Sequence, residues 1–433
     1  MDLRQTGEAI RFGRCEQQNK NMQKVIRNSI GAHPGAGLRW VVPCISLFCA
    51  LIAMPHRAEA VAFRLPNQDP EGIARGNAFA ATADNPSAIY YNPAGITQLE
   101  GQQARAGLYL ISADTDYTSP SGAKAHTDRT VQAVPQLYYV NSLQSLPISL
   151  GFGVYAPYGL GLDWGTTSPF RTMAESGKLL YACVNPVIAW RVLPSLSIAI
   201  GPTINYSQAT LKQGITDLNP ADQFRFKGDG WDFGFNAGLR WQPCPQWALG
   251  LNYRSATEVD YAGHSEFFPY APRTATHASV RFPQFVAAGI SFRPTEDWNF
   301  EFDVDWTDWD NVNSIVFRGT AMGDVPFILN YTSSFMYEFG VTRQLGKGYF
   351  ASLGYFYSEN SSPDRNFNPI VPDSVLHLGS IGFGHHGQRW DWAVGYHFGY
   401  NPGREVTADS NPLANGTYKT FNNAVNISAT YKF

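Results

Sequence analysis

The sequence predicts an all-β fold: a 14-stranded antiparallel transmembrane β-barrel whose lumen is plugged by an N-terminal hatch. Three observations carry the prediction. Apolar and polar residues alternate with period two in segment after segment, to the last residue. Short connections between these segments alternate with long ones, as in outer-membrane barrels. Ahead of the series lies one stretch, Gly72 to Gly95 (GIARGNAFAATADNPSAIYYNPAG), too rich in Gly, Ala and Asn and too broken by proline to be a strand.

The chain opens on a different pattern. Val41 to Met54 is one apolar run, preceded by Lys24, Arg27 and Arg39 and followed by the small-x-small triplet Ala58-Glu59-Ala60. This reads as a secretory signal peptide over residues 1–60, with a long basic region in which Met22 is an alternative start. A membrane-spanning helix would need ~20 apolar residues. The remainder divides into a hatch at 61–101 and a barrel at 102–433.

Composition narrows the class. The first sixty residues hold eight Lys/Arg and four Asp/Glu, leaving 24 basic and 31 acidic residues, a net charge of −7. That excludes nucleic acid as an expected partner. Charged residues make up 15% of the chain, against roughly 25% in ordinary soluble domains. Low charge, 14% aromatic residues and no long apolar run after Met54 suit strands that cross a bilayer. Cys183, in a strand, and Cys244, in the turn QPCPQ, are expected at opposite barrel ends and unpaired.

The strands follow in order. Trp231, Phe233, Phe235, Ala237, Leu239 and Trp241 form one face, against Asp232, Asn236 and Arg240 on the other. Trp298, Phe300, Phe302, Val304 and Trp306 oppose Asn299, Glu301, Asp303 and Asp305. Tyr349 to Tyr357 and Trp392 to Phe398 repeat the pattern. Val425 to Phe433 closes the chain on an aromatic, resembling the insertion signal read by the outer-membrane assembly machinery. Tryptophan and tyrosine at strand ends form the girdle expected at lipid and lipopolysaccharide headgroups. The apolar faces point to lipid; Arg240, Arg254, Glu301, Asp303 and Asp305 point into the lumen, where pairing of these arginines with these acids is expected. Turns are expected at Leu193–Ser195, Gln242–Gln246, Pro294–Asp297, Gly346–Gly348 and Gly387-Gln388. Long loops are expected at 159–178, 213–228, 261–274, 310–331, 359–373 and 400–422.

Within this frame several segments resemble one family. Asn92-Pro93-Ala94-Gly95, inside ATADNPSAIYYNPAG with Asp84, resembles the hatch motif of the outer-membrane long-chain fatty-acid transporters of the FadL/TodX type. Gly151–Leu160 (GFGVYAPYGL) resembles that family's third strand. Tyr253-Arg254-Ser255, Phe282-Pro283, Trp298–Trp309 and Val371-Pro372-Asp373 resemble further family segments in the same order. The resemblance implies a hatch-filled 14-stranded barrel that passes hydrophobic small molecules, long-chain fatty acids foremost and aromatic or other neutral hydrocarbons as the alternative. The residues themselves carry no P-loop, HExxH or GxSxG motif, and His385-His386 face opposite sides of any strand, so no cofactor, metal or catalysis is expected.

The resemblance also assigns sites. Asn92 to Gly95 would form a gate, or else a static plug. Gly151, Gly153 and Pro157 would bend the third strand and open the wall sideways, or else make room for the hatch. Phe267, Phe268 and Tyr270, with Phe327 in Val325–Leu329, would form a surface capture groove, or fold over the barrel mouth. Fatty-acid carriers of this family place a basic residue where this chain has Gln208; Lys212, one face-repeat on, is the substitute for binding a carboxylate. A surface adhesin or receptor with a fixed plug is the reading of another class; a barrel enzyme is a third, without a motif to support it.

Overall fold

A computed structural model describes residues 62–433. The segment read as a signal peptide lies outside the described residues. Fourteen antiparallel strands form one ring: β1 (Gln102–Thr118), β2 (Val131–Ser142), β3 (Ile148–Tyr155, resuming as Gly159–Asp163), β4 (Ser176–Leu193), β5 (Leu196–Gln213), β6 (Gln223–Cys244), β7 (Trp247–Arg254, resuming as Thr257–Phe268), β8 (Ala271–Phe282, resuming as Phe285–Thr295), β9 (Trp298–Thr307), β10 (Ser334–Gly346), β11 (Tyr349–Ser358), β12 (Leu376–His386), β13 (Trp390–Tyr400) and β14 (Gly416–Lys432). β14 pairs with β13 on one side and with β1 on the other, from Gln103↔Lys432 to Thr118↔Thr417, which closes the ring. Closure pairs the strands into a ring and, apart from the upper stretch of β2 described below, removes the free edges that hydrocarbon could not solvate.

The outer surface is apolar because the alternation makes it so. Trp231, Phe233, Leu353, Ile381 and Ile427 are all exposed, and each is flanked along its strand by inward residues. Tyr206 and Trp231 pack ring to ring on this face, at 5.0 Å between centroids. Contiguous exposure on this scale marks a surface made for lipid.

The long-loop side departs from expectation in five places; in two of them, 213–228 and 400–422, the loop is shorter because β6 already starts at Gln223 and β14 at Gly416. Residues 261–274 are a strand pair, not a loop: β7 and β8 continue past the membrane and turn at Pro269-Tyr270. Their Val259, Tyr261, Ala278 and Phe282 keep an inward apolar face, so the period-two register simply runs on. Residues 310–331 carry a small hairpin of Ser314–Phe317 with Val325–Ile328. Residues 159–163 extend β3 along β4. Cys183 and Cys244 are free, but Cys183 lies mid-strand on the lumen face rather than at a barrel end, paired in register with Asn205.

Residues 62–101 occupy the ring's interior. They form a one-turn helix α1 (Pro70–Ile73), a second, α2 (Ala88–Tyr91), and a 3-10 turn (Pro93–Gln98), joined by irregular backbone that is almost wholly buried. The wall admits them through small residues. A Cβ at Gly238 would strike Asn92, at Gly250 the Ala80 carbonyl, and at Gly354 the Gly76 amide.

Candidate functional site

Irregular backbone inside a barrel has amides with no ladder to join, and each must find an acceptor. Strand β9 supplies them. Its inward residues Glu301, Asp303 and Asp305 fall on one face by alternation. Glu301 accepts from the Ala81 amide at 2.7 Å and from the Thr82 hydroxyl. Asp303 accepts from Phe79 and Ala80, both at 2.8 Å. Asp305 takes a two-pronged bond from Arg64, 2.6 Å on each arm. From the opposite side, Arg105 of β1 grips Asp69 at 2.6 Å and Glu71 at 2.9 Å. Charge-assisted bonds of this kind are the strong ones. The expected pairing of the lumen acids with Arg240 and Arg254 is therefore replaced. Arg240 donates to the Ala81 carbonyl at 2.8 Å. Arg254 donates to the Tyr155 hydroxyl and lies 5.3–5.9 Å from the ring centres of Tyr90, Tyr155 and Phe285.

The Asn-Pro-Ala-Gly motif sits within this segment. The Asn92 side chain caps the 3-10 turn, accepting from Ala94, while its amide donates to the carbonyls of Ala80 at 2.7 Å and Leu239 at 3.0 Å. Pro93 takes the first helical position, where no amide is needed. Ala94 is fully buried, and a Cβ at Gly95 would strike the Ala83 carbonyl. Asp84 is half-buried, 3.4 Å from Arg293.

Toward the long-loop end the interior turns apolar. A half-open cavity of about 100 Å³ is lined by apolar side chains, among them Phe63, Leu160, Leu211, Phe226, Phe317 and Phe327. Phe327, half-buried, lines this pocket. Phe267 is buried beside it against Phe224, at 4.9 Å. Phe268 and Tyr270 stay at the rim, 40% and 52% exposed, the first under Arg225 and the second donating to Asp222. Gln208 and Lys212 do not reach the cavity. Gln208 pairs in register with Leu180, which is 46% exposed on the outer face, and Lys212 shares that face. The inward positions here are Ser207, Ala209 and Leu211. The one charged residue around the cavity, Lys178, is itself exposed on the outside.

Strand β3 organises the wall beside this cavity. β2 and β3 pair only from Leu137↔Val154 to Ser142↔Ser149. Beyond Tyr155 the strand breaks at Ala156-Pro157-Tyr158, as proline inside a strand requires. It turns its edge inward to the leading segment: Leu65 donates to the Pro157 carbonyl at 2.8 Å and Gly159 to the Phe63 carbonyl at 3.0 Å, about an antiparallel bridge of Arg64 with Tyr158. The upper half of β2, Val131 to Gln136, has β1 on one side and no ladder on the other. Behind this seam lies a second cavity of about 220 Å³. Gly151 and Gly153 face the lumen, where Ile89 fills the space that their side chains would take.

Sequence reasoning missed Arg64, Arg105 and Gln132. Arg64 and Arg105 announce themselves only as lone cations in otherwise neutral stretches, and Gln132 only as a polar residue just before Pro135.

Comparison with known proteins places the chain. Residues 51–433 match the family model for outer membrane protein transport protein (OMPP1/FadL/TodX). The chain belongs to that family. Among curated family proteins, the long-chain fatty acid transport protein of Salmonella typhi is 22% identical over 76% of this chain and 84% of its own length. The corresponding protein of Escherichia coli K12 is 21% identical over 76% and 85%. Among solved structures, a Pseudomonas aeruginosa FadL homologue superposes with a TM-score of 0.77, at 16% identity, over 86% of this chain and all of its own. The Pseudomonas putida toluene transporter TodX superposes at 0.68, with 15% identity, over 87% and 100%. The family and the lipid-facing ring make this a multi-pass protein of the bacterial outer membrane.

Proposed function

We propose that this protein carries hydrophobic, mainly uncharged compounds passively across the outer membrane, and that they leave through the wall beside β3. One observation carries the reading. The apolar cavity and the cavity behind the seam share Leu160 and Val371 among their lining residues, so the two are neighbours and a route from the pocket to the unpaired edge of β2 would pass these two side chains. A hydrophobic solute gains by such a route because it never returns to water. At about 100 Å³ the pocket falls short of the ~150 Å³ apolar cavity that holds benzene, so even a one-ring hydrocarbon would need its lining side chains to give. The absence of an inward cation among its lining residues favours a neutral ligand, since a buried carboxylate needs a charged partner.

Residues 62–101 act in this reading as a fixed plug. The bonds from Glu301, Asp303, Asp305 and Arg105 favour a bolted segment over a gate that swings, and a lateral exit does not need one. The names of the curated relatives favour fatty acids as the second reading.

The test is uptake by cells whose own carriers for these compounds are deleted. Expression of this protein is expected to restore toluene uptake more than oleate uptake. Restoration of oleate alone selects the fatty-acid reading. Restoration of neither removes transport in favour of a receptor with a static plug.

A further inference from the structure

We propose that Gln132 is the latch of the lateral exit. This deepens the transport reading and rests on it. Between the backbone bond from Asp128 to Asp163, at 2.8 Å, and the first ladder pair, Leu137 with Val154, β2 and β3 share no backbone bonds. One side chain crosses the gap: the Gln132 amide donates to the Gly161 carbonyl at 2.9 Å. Gln132 also lines the cavity behind the seam, with Leu160 and Leu162 facing it from β3. A solute moving from that cavity into the bilayer must part this bond and nothing else of the wall.

The sequence fits the role at three positions. Pro135 removes an amide from β2 within the unpaired stretch, which weakens any ladder there. Gly161 is what lets the amide dock: every close neighbour that a Cβ there would meet is an atom of the Gln132 side chain. Glutamine is neutral, so the latch bond is weak enough to break thermally, whereas an ion pair in this position would seal the wall. The latch thus holds the seam shut against leakage between transport events and opens at low cost.

Two substitutions remove the bond by different means. Gln132→Ala deletes the donor; Gly161→Ala keeps the glutamine intact but pushes its flexible end away. Each is expected to raise the initial rate of uptake of the favoured probe, toluene or oleate, by about 2- to 10-fold, the range that one neutral hydrogen bond covers in an opening equilibrium. The double variant is expected to match either single, because both remove one interaction. Resistance to unfolding in SDS at room temperature checks that each barrel is folded.

A second readout does not depend on uptake. With Cys244→Ser as background, Val134→Cys places a thiol on the cavity side of the seam. A membrane-confined maleimide in phospholipid vesicles should label it faster when Gln132→Ala or Gly161→Ala is added. Faster labelling with no uptake of either probe supports the latch and removes the transport reading. Unchanged labelling, or uptake effects that add in the double variant, overturns the latch.

Discussion

Two stretches of wall differ in what satisfies their edges. Between β5 and β6 the ladder is unbroken from Leu196↔Trp241 to Gln213↔Phe224. Between β2 and β3 it stops after Leu137↔Val154; beyond that the β3 edge is met from inside by Phe63 to Leu65 and, further on, by the Gln132 side chain and the Asp128 amide. In the first stretch strand pairs with strand and nothing inside matters to closure. In the second, the wall and the leading segment are one hydrogen-bonded unit. A strand edge can be satisfied without a regular ladder, as that of β3 is here, which leaves the facing stretch of β2 able to part from it.

The comparison can be broken most severely at Arg64, which ties the inner partner of β3 to β9 across the lumen. Asp305→Ala leaves a buried guanidinium uncompensated, and ~3–5 kcal/mol of stability should be lost. Thermal unfolding in detergent measures this. Hydrogen exchange should speed at Gly159 well before it speeds in β5 and β6; uniform loss would mean that the two stretches are not separable. Next comes the closed side of the ring. Gly354→Ala drives a methyl into the backbone of Gly76 and should cost about 1–3 kcal/mol by overpacking, without changing exchange along the seam. Asn92→Ala removes a turn cap and two carbonyl contacts, and about 0.5–2 kcal/mol is expected by the same unfolding assay.

The smallest effect is one of pH, at the rim. Asp222 is buried, which opposes its charge, but bonds from the Thr216 hydroxyl and amide and from Arg171 hold its carboxyl below the usual carboxylate range. A depressed carboxylate contributes fully above its unfolded value near 4 and loses that contribution as pH falls through the lower folded value. Acidification below about pH 4 should therefore loosen the loop 214–222 while the wall ladder stays protected, and Asp222→Asn should abolish the dependence. Exchange at Ile215 and Thr216, whose amides bond Asp222, reports it.

Much of this was legible in the residues. Alternation alone placed Glu301, Asp303 and Asp305 inward, and aromatic strand ends placed the membrane. What alternation could not supply was partners. The amides of Phe79 to Thr82 lie more than two hundred residues from β9 in the chain, and nothing local in either segment names the other. The misplacement of Gln208 has a different cause. It followed a motif position, whereas the pairing of Tyr206 with Trp231 on the lipid face already puts Gln208 outside. The hairpin at 261–274 was read as loop because Gly263, Pro269 and Pro272 resemble turn chemistry; the inward apolar face beneath them won. Alternation puts Gly153 inward, but only the fold shows that Ile89 of the leading segment stands where a larger side chain there would go.

The acids of β9 carry a consequence for biogenesis. Until the leading residues arrive, three carboxylates would stand side by side on one strand facing an empty tube, with only water to screen them. A ring already sewn shut between β1 and β14 offers little room to thread forty residues past its turns. The leading residues are therefore expected to be in position before the last seam is joined, so that the ring is wound around them as around a mandrel.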